Sequence, residues 1–390
     1  MDQAARKLFS VDDHICEPAD TWSSRVPARL REAAPHIERD GKHEFWVIEG
    51  NRHPTLGLNA VAGKPPEQWE MEPISYDDMI LGCYDPVARA KDLAREGIMS
   101  SVAFPTLPRF GGALFPSFKD KALADVCVTA WNDFMFDWCS AAPRMFVPMS
   151  LVQLWDIDAA VRETKRCLDL GVRAICIPEE VSVLGLPSYF SGYFDPLFAL
   201  CEEADLPICM HIGSSGWQPF KPAEAPASLA IAISFVATTT HAVGMMYGPV
   251  CRKFSNIRLV YSEGGIGWVP AAVERADRMY KRHHYWDTAF GDDDLLPSEI
   301  CQRNMWFCMI DEVFGLANRH LVGIDKIFWE CDYPHSSCVW PDTQQVVDDL
   351  FAGVPDDEVR KITYENANAV FKWDCPEVDE FPDLLVGVAH

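Results

Sequence analysis

The chain has 390 residues, 48% of them hydrophobic, and it carries a formal net charge of −24 at pH 7. A chain of this size buries a large core, and a single α/β barrel with insertions can reach this length. The strong negative charge argues against nucleic acid or an anionic membrane surface as a binding partner.

Short apolar strands alternate with amphipathic helices along most of the chain. The strand candidates are, in chain order, LFSVDDH, GIMSSVAFPT, RMFVPMSLVQ, VRAICIPEE, LPICMHIG, IRLVYSEGG, NMWFCMID and KIFWECDYPH. Eight such strands separated by helical segments predict an α/β fold, a closed (β/α)8 TIM barrel, with its active site at the C-terminal ends of the strands. A doubly wound open sheet is the alternative, which the absence of a GxGxxG motif after the first strand disfavours.

Two segments do not follow this alternation of strands and helices. Residues 18–84 are rich in Pro, Gly and Trp, with a hairpin predicted around FWVIEGNRH. We interpret them as a long insertion between the first and second strands, which either caps the barrel or makes a dimer contact. Residues 366–390 are acidic and contain proline, and they are predicted to form a C-terminal extension of a single domain that spans residues 1–390.

The chain is expected to be cytoplasmic. Its first residues, MDQAARKLFSVDDH, lack the apolar run of a signal peptide, and no stretch of about 18 apolar residues predicts a membrane span. The fourteen cysteines show no CxxC or zinc-finger spacing, and several stand in apolar runs such as VRAICIP. Buried, reduced thiols are therefore predicted rather than a disulfide framework.

Polar residues follow five of the predicted strands, where a barrel has its active site. These are Asp12 and His14 from the first strand, Glu179 and Glu180 from the fourth, His211 from the fifth, Glu263 from the sixth, and Asp332 with His335 from the eighth. Asp12 and His14 are two residues apart and so point to the same face of their strand, whereas Asp13 points away. Two carboxylates and two imidazoles suit Zn²⁺, Mn²⁺ or a similar divalent ion. Each residue alone could be a structural histidine or a capping aspartate, but their coincidence at strand ends favours a metal site.

Four motifs together resemble the amidohydrolase-related proteins (amidohydrolase family 2) of the metal-dependent decarboxylase branch. They are SVDDHICEPADTW, LPICMHIG, IRLVYSEGGIGWVP and FWECDYPHSSCVWPD, they occur in the family's order, and they span nearly the whole chain. That branch includes aminocarboxymuconate semialdehyde decarboxylase and the hydroxybenzoate decarboxylases. The resemblance implies a (β/α)8 barrel that holds one divalent metal ion, with Zn²⁺ preferred and Mn²⁺ as the alternative, and it implies a homodimer.

The resemblance also implies which residues bind the metal. Asp12 and His14 match the first-strand pair, with aspartate where relatives carry histidine or glutamate, while His211 and Asp332 match the fifth-strand and eighth-strand ligands. Two-metal relatives bridge their ions with a lysine on the fourth strand, and VRAICIPEE has none. A bridging glutamate, Glu179 or Glu180, stays open as an alternative.

Two departures from the family pattern leave the reaction open. Glu263 stands where decarboxylases carry a proton-handling histidine, and the sequence IGSSG after His211 has no basic residue to bind a substrate carboxylate. Arg109, His241 and His335 are candidate substitutes. The catalytic candidates are Glu263, Asp332, His241 and His335; the substrate-binding candidates are Glu17, Arg109 and His335. Glu17 could equally cap the turn before Pro18.

Three functions remain. The first is a decarboxylase that acts on a small aromatic or unsaturated carboxylic acid. The second is a mononuclear-metal hydrolase of a C–N, C–O or C–C bond, with Glu263 as the base for the metal-bound water. The third is a barrel that binds metal without catalysis. A small molecule is the expected partner in the first two.

Overall fold

The computed structural model describes residues 5–54, 57–70, 75–220, 222–286 and 294–385. Its strands are β1 (Leu8–Ile15), β2 (His36–Asp40), β3 (His43–Ile48), β4 (Asn51–Pro54), β5 (Ile98–Pro105), β6 (Phe146–Val147), β7 (Met149–Ser150), β8 (Ala174–Cys176), β9 (Ile208–His211), β10 (Leu259–Ser262), β11 (Met305–Met309) and β12 (Ile327–Trp329). Its helices are α1 (Pro86–Arg95), α2 (Lys121–Cys139), α3 (Ile157–Asp169), α4 (Asp195–Glu203), α5 (Ala227–Ala232), α6 (Phe235–Tyr247), α7 (Val250–Lys253), α8 (Val269–His283), α9 (Pro297–Asn304), α10 (Val313–Ala317), α11 (Arg319–Val322), α12 (Thr343–Leu350), α13 (Asp356–Arg360) and α14 (Asn366–Phe371).

Eight parallel strand positions close into a barrel. β1, β5 and β6 pair in one sheet, and β7 through β12 pair in chain order in the other. β6 and β7 share one position, separated by Pro148, which has no amide hydrogen to donate. At the remaining gap, the Asp332 amide donates to the Asp12 carbonyl at 2.8 Å, and the His14 amide donates to the Tyr333 carbonyl at 2.7 Å. The predicted (β/α)8 barrel is confirmed, and the doubly wound alternative is wrong.

The barrel strands are buried because helices cover their outer faces. Every residue of β1 and β5 is buried, including the polar residues of both strands, so neither strand has a face in solvent. The large side chains of Trp22, Trp131 and Trp329 are completely enclosed. All fourteen cysteines are free, and all except the half-buried Cys338 are buried, as the sequence predicted.

Residues 18–84 contain a three-stranded antiparallel sheet in the order β2-β3-β4. The predicted hairpin is present: β3 and β4 are joined at Glu49 and Gly50, which both have positive φ, as a two-residue hairpin turn requires. The amides of Val61 and Ala62 donate to the Pro334 carbonyl in the loop after β12, at 2.9 and 3.1 Å. The segment therefore contacts a loop at the C-terminal end of the barrel, while its role as an inserted cap stays a prediction.

The opposite end of the barrel is covered by the helices near the C-terminus. A π-helical turn, Lys361–Glu365, joins α13 to α14, and the Phe371 ring of α14 packs 6.0 Å from Phe9 and 6.1 Å from Phe328. The predicted extension over 366–390 thus starts inside a core helix. Residues 386–390 lie outside the described part of the chain.

One segment, Ala227–Tyr247, is long and apolar enough to cross a membrane, judged by length and composition alone. Core helices of soluble proteins pass the same test. In the structure the segment is divided into α5 and α6, and α6 carries the buried polar residues Thr238 and His241 toward the barrel. The sequence analysis did not predict this segment, and 33% of its most apolar window is buried in the structure.

Candidate metal centre

Alternation along β1 sets the orientation of its three acidic and basic residues. Asp12 and His14 point into the end of the barrel, and both are completely buried. Asp13 points to the other side, where its carboxylate accepts hydrogen bonds from Ser10, Ser101 and the Tyr333 amide. Asp13 therefore fastens β1 to its two neighbours in the barrel.

The four predicted ligands lie together at the C-terminal end of the barrel. Nε2 of His14 lies 3.4 Å from Oδ1 of Asp12 and 3.2 Å from Oδ1 of Asp332. Nε2 of His211 lies 3.1 Å from Nε2 of His14 and 3.2 Å from Oδ2 of Asp12. The four side chains have no exposed surface. Two nitrogens and two carboxylates from three strands thus converge on one point.

The chemistry of this cluster fits a divalent cation. Among the described residues, neither oxygen of Asp12 or Asp332 has a hydrogen-bond partner. Nδ1 of His211 lies 2.6 Å from the Ile212 carbonyl and donates to it, so Nε2 presents a lone pair to the cluster. Burial and the charge of Glu263 raise the pKa of both aspartates, so ionising them requires a compensating positive charge. A divalent cation supplies that charge and accepts the imidazole lone pairs.

His335 lies beside this cluster, at the position expected for a catalytic or substrate-binding group. Its ring stacks on the ring of His14 at 3.5 Å, and its Nδ1 lies 3.4 Å from Oδ1 of Asp332. Burial lowers the pKa of His335 well below its usual range, so the ring is neutral at neutral pH. With His14 and Asp332 it forms a second group of atoms close enough to share an ion.

Glu263 is the acidic residue at the open side of the cluster. Its Oε2 lies 3.4 Å from Nε2 of His211, and its side chain is 21% exposed, whereas the four ligands are enclosed. The Ser337 hydroxyl donates to Oε1 at 3.0 Å. A partly exposed carboxylate beside a metal position is suited to move a proton between solvent and a bound substrate.

Glu330 and Phe110 are two site residues that the sequence analysis missed. Both carboxylate oxygens of Glu330 accept from the Glu263 amide at 3.1 Å, which holds the turn that presents Glu263. A signal was available in the sequence, because Glu330 is an acidic residue directly after the strand β12 and close to the predicted ligand Asp332. Phe110, in the loop after β5, places its ring 4.8 Å from that of His14 and 4.4 Å from that of His211. No sequence pattern marks a loop residue for this contact.

Four other residues from the sequence analysis lie outside the cluster. Both oxygens of Glu17 are used by the amides of Thr106 and Leu107 and by the Trp131 indole, so Glu17 holds the loop after β5 rather than facing the metal ligands. His241 packs between the rings of Tyr189 and Tyr261 and borders a separate cavity. Glu179 borders the same cavity. Neither Glu179 nor Glu180 belongs to a group of potential metal ligands found among the described residues.

Arg109 lies at the open end of the barrel in the loop after β5. It is exposed, and its Nη1 lies 3.8 Å from the place where a Cβ would stand on Gly216, in the loop after β9. It also lies close to His53 on β4, whose pKa is lowered by burial and then by the charge of Arg109. The segment IGSSG after His211, which has no basic residue, is thus approached by the Arg109 guanidinium from the loop after β5.

Backbone strain is concentrated at this site. Six residues other than glycine have positive φ in the described part of the chain, and three of them are Arg109, Glu263 and Asp332, at +57°, +56° and +63°. Such conformations cost free energy in residues with a Cβ, and they cluster at functional sites when the surrounding structure imposes them. The strain therefore supports a functional role for these three side chains.

The chain matches known proteins over most of its length. Residues 40–373 match the family model described as Amidohydrolase. The amidohydrolase map2389c of Mycobacterium avium subsp. paratuberculosis K-10 is similar, with 20% identity, a TM-score of 0.75, and coverage of 94% of this chain and 99% of that chain. The 5-carboxyvanillate decarboxylase LigW of Sphingomonas paucimobilis is similar with 18% identity, a TM-score of 0.65 and the coverages 94% and 99%.

A third similar structure contains a metal ion. It is a dihydroxybenzoic acid decarboxylase of Polaromonas sp. JS666 with bound manganese and the inhibitor 2-nitroresorcinol, with 14% identity, a TM-score of 0.60, and coverage of 94% of this chain and 97% of that chain. At these identities the three structures establish a shared fold. Because the family model covers most of the sequence, this protein belongs to the amidohydrolase family of metal-dependent enzymes.

Proposed function

We propose that this protein is a metal-dependent decarboxylase that acts on a small aromatic or unsaturated carboxylic acid. The observation that carries the proposal is the position of Arg109, whose guanidinium approaches Gly216 in the loop that follows the ligand His211, at the open end of the barrel. A guanidinium there suits an anionic substrate, because it can bind a carboxylate through two hydrogen bonds. The decarboxylases of the same fold add support to this choice.

Asp12, His14, His211 and Asp332 are the residues that would hold the cation. A bound divalent cation supplies a Lewis acid for the substrate carboxylate and an adjacent oxygen. Two imidazoles and two carboxylates suit Zn²⁺, which is our first choice, and Mn²⁺, which the Polaromonas relative binds, is the alternative. The fourteen free thiols are compatible with a reducing cytoplasm, and a homodimer stays a prediction.

Glu263 is proposed to carry the proton. In its protonated form it gives a proton to the substrate carbon that bears the carboxylate. The bond from this carbon to the carboxylate then breaks, its electron pair returns to the unsaturated system, and CO₂ leaves. Glu263 regains a proton from water, with which its partly exposed side chain is in contact. The Phe110 ring, which covers the two ligand imidazoles, shields the site from water and offers a flat surface to an aromatic substrate.

A hydrolase is the second candidate, and the same carboxylate favours it. In this reaction Glu263 accepts the proton of the attacking water, and its contact with Ser337 keeps it oriented. The two reactions therefore share their principal acid–base residue and differ in the substrate. An uncharged amide or ester would make little use of Arg109, which is why decarboxylation is preferred.

The decisive experiment records two products separately. Protein loaded with Zn²⁺ or Mn²⁺ is incubated with aromatic and ring-cleavage carboxylates, lactones and amides, while CO₂ release and hydrolysis are measured in parallel. CO₂ release from at least one acid without incorporation of water supports the decarboxylase. Hydrolysis without CO₂ from any acid rejects it in favour of the hydrolase, and the absence of both products favours a barrel without catalysis.

A further inference from the structure

A cavity of about 300 Å³ lies beside the metal cluster, between the ends of β8 and β9 and the helix α6. Its apolar walls include Tyr189, Phe190, Trp217 and Met245, and its polar residues include Glu179 and His241. A cavity of about 150 Å³ lined by apolar side chains accommodates a benzene molecule. The space here is therefore sufficient for a larger aromatic group.

The wall of the cavity is linked to the metal cluster by hydrogen bonds and packing contacts. Glu179, on its wall, is close enough to the ligand His211 for their charges to interact. Ser214 accepts a hydrogen bond from the Glu179 amide at 3.0 Å, and its own amide donates to the His211 carbonyl at 3.1 Å. Thr238 of α6 donates to Glu179 and packs against Gly264, the residue after Glu263. Glu179 on the cavity wall is thus linked through Ser214 to the ligand His211 and through Thr238 to the turn that carries Glu263.

Two polar groups on the wall have unused hydrogen-bonding capacity. Oε1 of Glu179 accepts from Thr238, but Oε2 meets no donor at hydrogen-bond geometry among the described residues, although the Gly213 amide lies near the carboxylate. Nδ1 of His241 lies 3.2 Å from the Tyr261 hydroxyl, which we assign as the donor, so the neutral ring carries its proton on Nε2. That nitrogen also has no partner within the described ranges.

We propose that this cavity binds the part of the substrate that is remote from the reacting carboxylate, and that it selects a flat bicyclic aromatic group with a hydroxyl substituent. This inference rests on the proposed function. A hydroxyl donates to a carboxylate oxygen and accepts from an imidazole N–H, so it satisfies both Glu179 and His241. A second anionic group is disfavoured, because it would lie beside the Glu179 carboxylate.

The first test compares three carboxylates on the metal-loaded wild-type protein. Benzoate, 2-naphthoate and 6-hydroxy-2-naphthoate are titrated by calorimetry, and the part of the tryptophan quenching that is lost in Trp217→Phe reports occupation of the cavity. We expect 2-naphthoate to bind about tenfold tighter than benzoate, and the hydroxyl to add about tenfold more. If neither naphthoate binds more tightly than benzoate, the proposal is rejected.

Variants of residues that border the cavity test whether the naphthoates bind there. Gly244 lies on α6 and borders the cavity, and a Cβ there would stand 3.9 Å from the Phe190 ring, so Gly244→Leu can direct its side chain into the space. It should abolish the advantage of both naphthoates and leave benzoate unchanged, whereas the same-helix control Val243→Leu should keep that advantage. Thr240→Phe, at an exposed position on the same wall, provides an independent blockade. Equal weakening of all three acids, or of none, would contradict the proposal.

Substitutions of the polar residues on the cavity wall test the role of the substrate hydroxyl. A product assay distinguishes the proposal for the cavity from the proposed decarboxylase function. His241→Phe and Glu179→Gln should reduce the preference for 6-hydroxy-2-naphthoate over 2-naphthoate and leave the affinity for 2-naphthoate within about twofold. An unchanged preference in both variants rejects the role of the hydroxyl. Tight naphthoate binding with no CO₂ from any acid supports the cavity and rejects the decarboxylase. CO₂ release from monocyclic acids, together with naphthoate affinities no higher than that of benzoate, supports the decarboxylase and rejects the proposal for the cavity.

Discussion

Asp12 and Asp332 are enclosed by protein and have carboxylate oxygens that no described donor reaches. A buried carboxylate in this situation is costly unless it is protonated or bound to a cation. The neighbouring Asp13 is equally buried, but it accepts hydrogen bonds from Ser10, Ser101 and the Tyr333 amide. The adjacent residues Asp12 and Asp13 therefore have different roles: Asp12 is suited to bind a cation, and Asp13 stabilises the barrel.

Substitution of Asp332 and of Asp13 should separate cation binding from barrel stability. Asp332→Asn keeps the shape of the side chain and removes its charge, so we expect the affinity for Zn²⁺ or Mn²⁺ to fall by at least about 100-fold. The cation-free protein should lose little stability, because no described residue donates a hydrogen bond to the Asp332 carboxylate. Metal content after dialysis and the unfolding temperature measure both effects. Asp13→Asn is the matched control, which should keep the metal and lose stability. Full metal content in Asp332→Asn would refute the assignment.

Glu263→Gln should reduce turnover and leave metal binding intact. Glutamine keeps the hydrogen bond with Ser337 but cannot transfer a proton, and general acid–base catalysis contributes roughly 100-fold to 10,000-fold. The measurement is kcat at equal metal content, in whichever reaction the product assay identifies. Asp311, an exposed acid after β11 at the same end of the barrel, provides the control Asp311→Asn. Unchanged kcat in Glu263→Gln would exclude Glu263 as the proton carrier.

Arg109→Gln should act mainly on substrate affinity. Hydrogen bonds to a charged group contribute about 1.5 to 3 kcal/mol, so loss of the guanidinium should raise KM for an acid by roughly 10-fold to 100-fold. The corresponding uncharged methyl ester, used as a competitive inhibitor, should bind the variant and the wild type equally. Arg109→Lys keeps the charge and should recover part of the affinity. A large fall in kcat at unchanged KM would contradict a role in binding.

Strands and loops differ in how well the sequence predicts them. The eight barrel strands could be predicted because each is buried on both faces, and the ligands could be placed because alternation assigns Asp12 and His14 to one face. The contacts of Glu17 could not, since its partner Thr106 is 89 residues away and its partner Trp131 is 114 residues away. The cavity was also unpredictable, because its walls come from loops and from α6 rather than from one repeating pattern.

The loop after β5 depends on Glu17, and this dependence should appear in the pH profile of stability. Burial raises the pKa of Glu17 from 4.5 to about 7, although four hydrogen-bond donors oppose the shift. The unfolded chain therefore ionises first as the pH rises, and the contribution of Glu17 is complete below about pH 4.5 and is lost between about pH 4.5 and pH 7. The loss is on the order of 3 kcal/mol.

Comparison with Glu17→Gln isolates this effect, because glutamine does not titrate. The free energy of unfolding of the cation-free protein, measured in urea from pH 4.5 to pH 8, should fall more steeply in the wild type than in the variant. Any hydrogen-bonding difference between the two proteins is independent of pH and cancels in the slope. Parallel profiles would mean that Glu17 is not the group responsible. His335→Gln should leave the slope difference intact.

At the scale of the whole molecule, a bound cation joins β1, β9 and β12 through His14, His211 and Asp332. Because the ligands are brought together only in the folded chain, cation binding adds to the free energy of unfolding. The gain is about 3 kcal/mol at a free cation concentration about 100 times the Kd.

Calorimetry should detect this gain as a rise of several degrees in the unfolding temperature. Zn²⁺ and Mn²⁺ should raise the temperature for the wild type, a chelator should reverse the rise, and Mg²⁺ should have a smaller effect because it prefers oxygen ligands. The Asp332→Asn variant should not respond. A response of equal size in that variant would show that the stabilising cation binds elsewhere.

The closure of the barrel has a consequence for how the protein is made. The hydrogen bonds that join β12 to β1 involve the backbones of Asp12, His14 and Asp332, which are also candidate ligands. Residues from the beginning and from the last sixth of the chain therefore meet at one place. During synthesis the ribosome completes the first three ligands long before it delivers Asp332, so the nascent chain cannot assemble the full metal site until its final barrel strand has emerged. Assembly of the full ligand set is thereby coupled to the appearance of the last barrel strand.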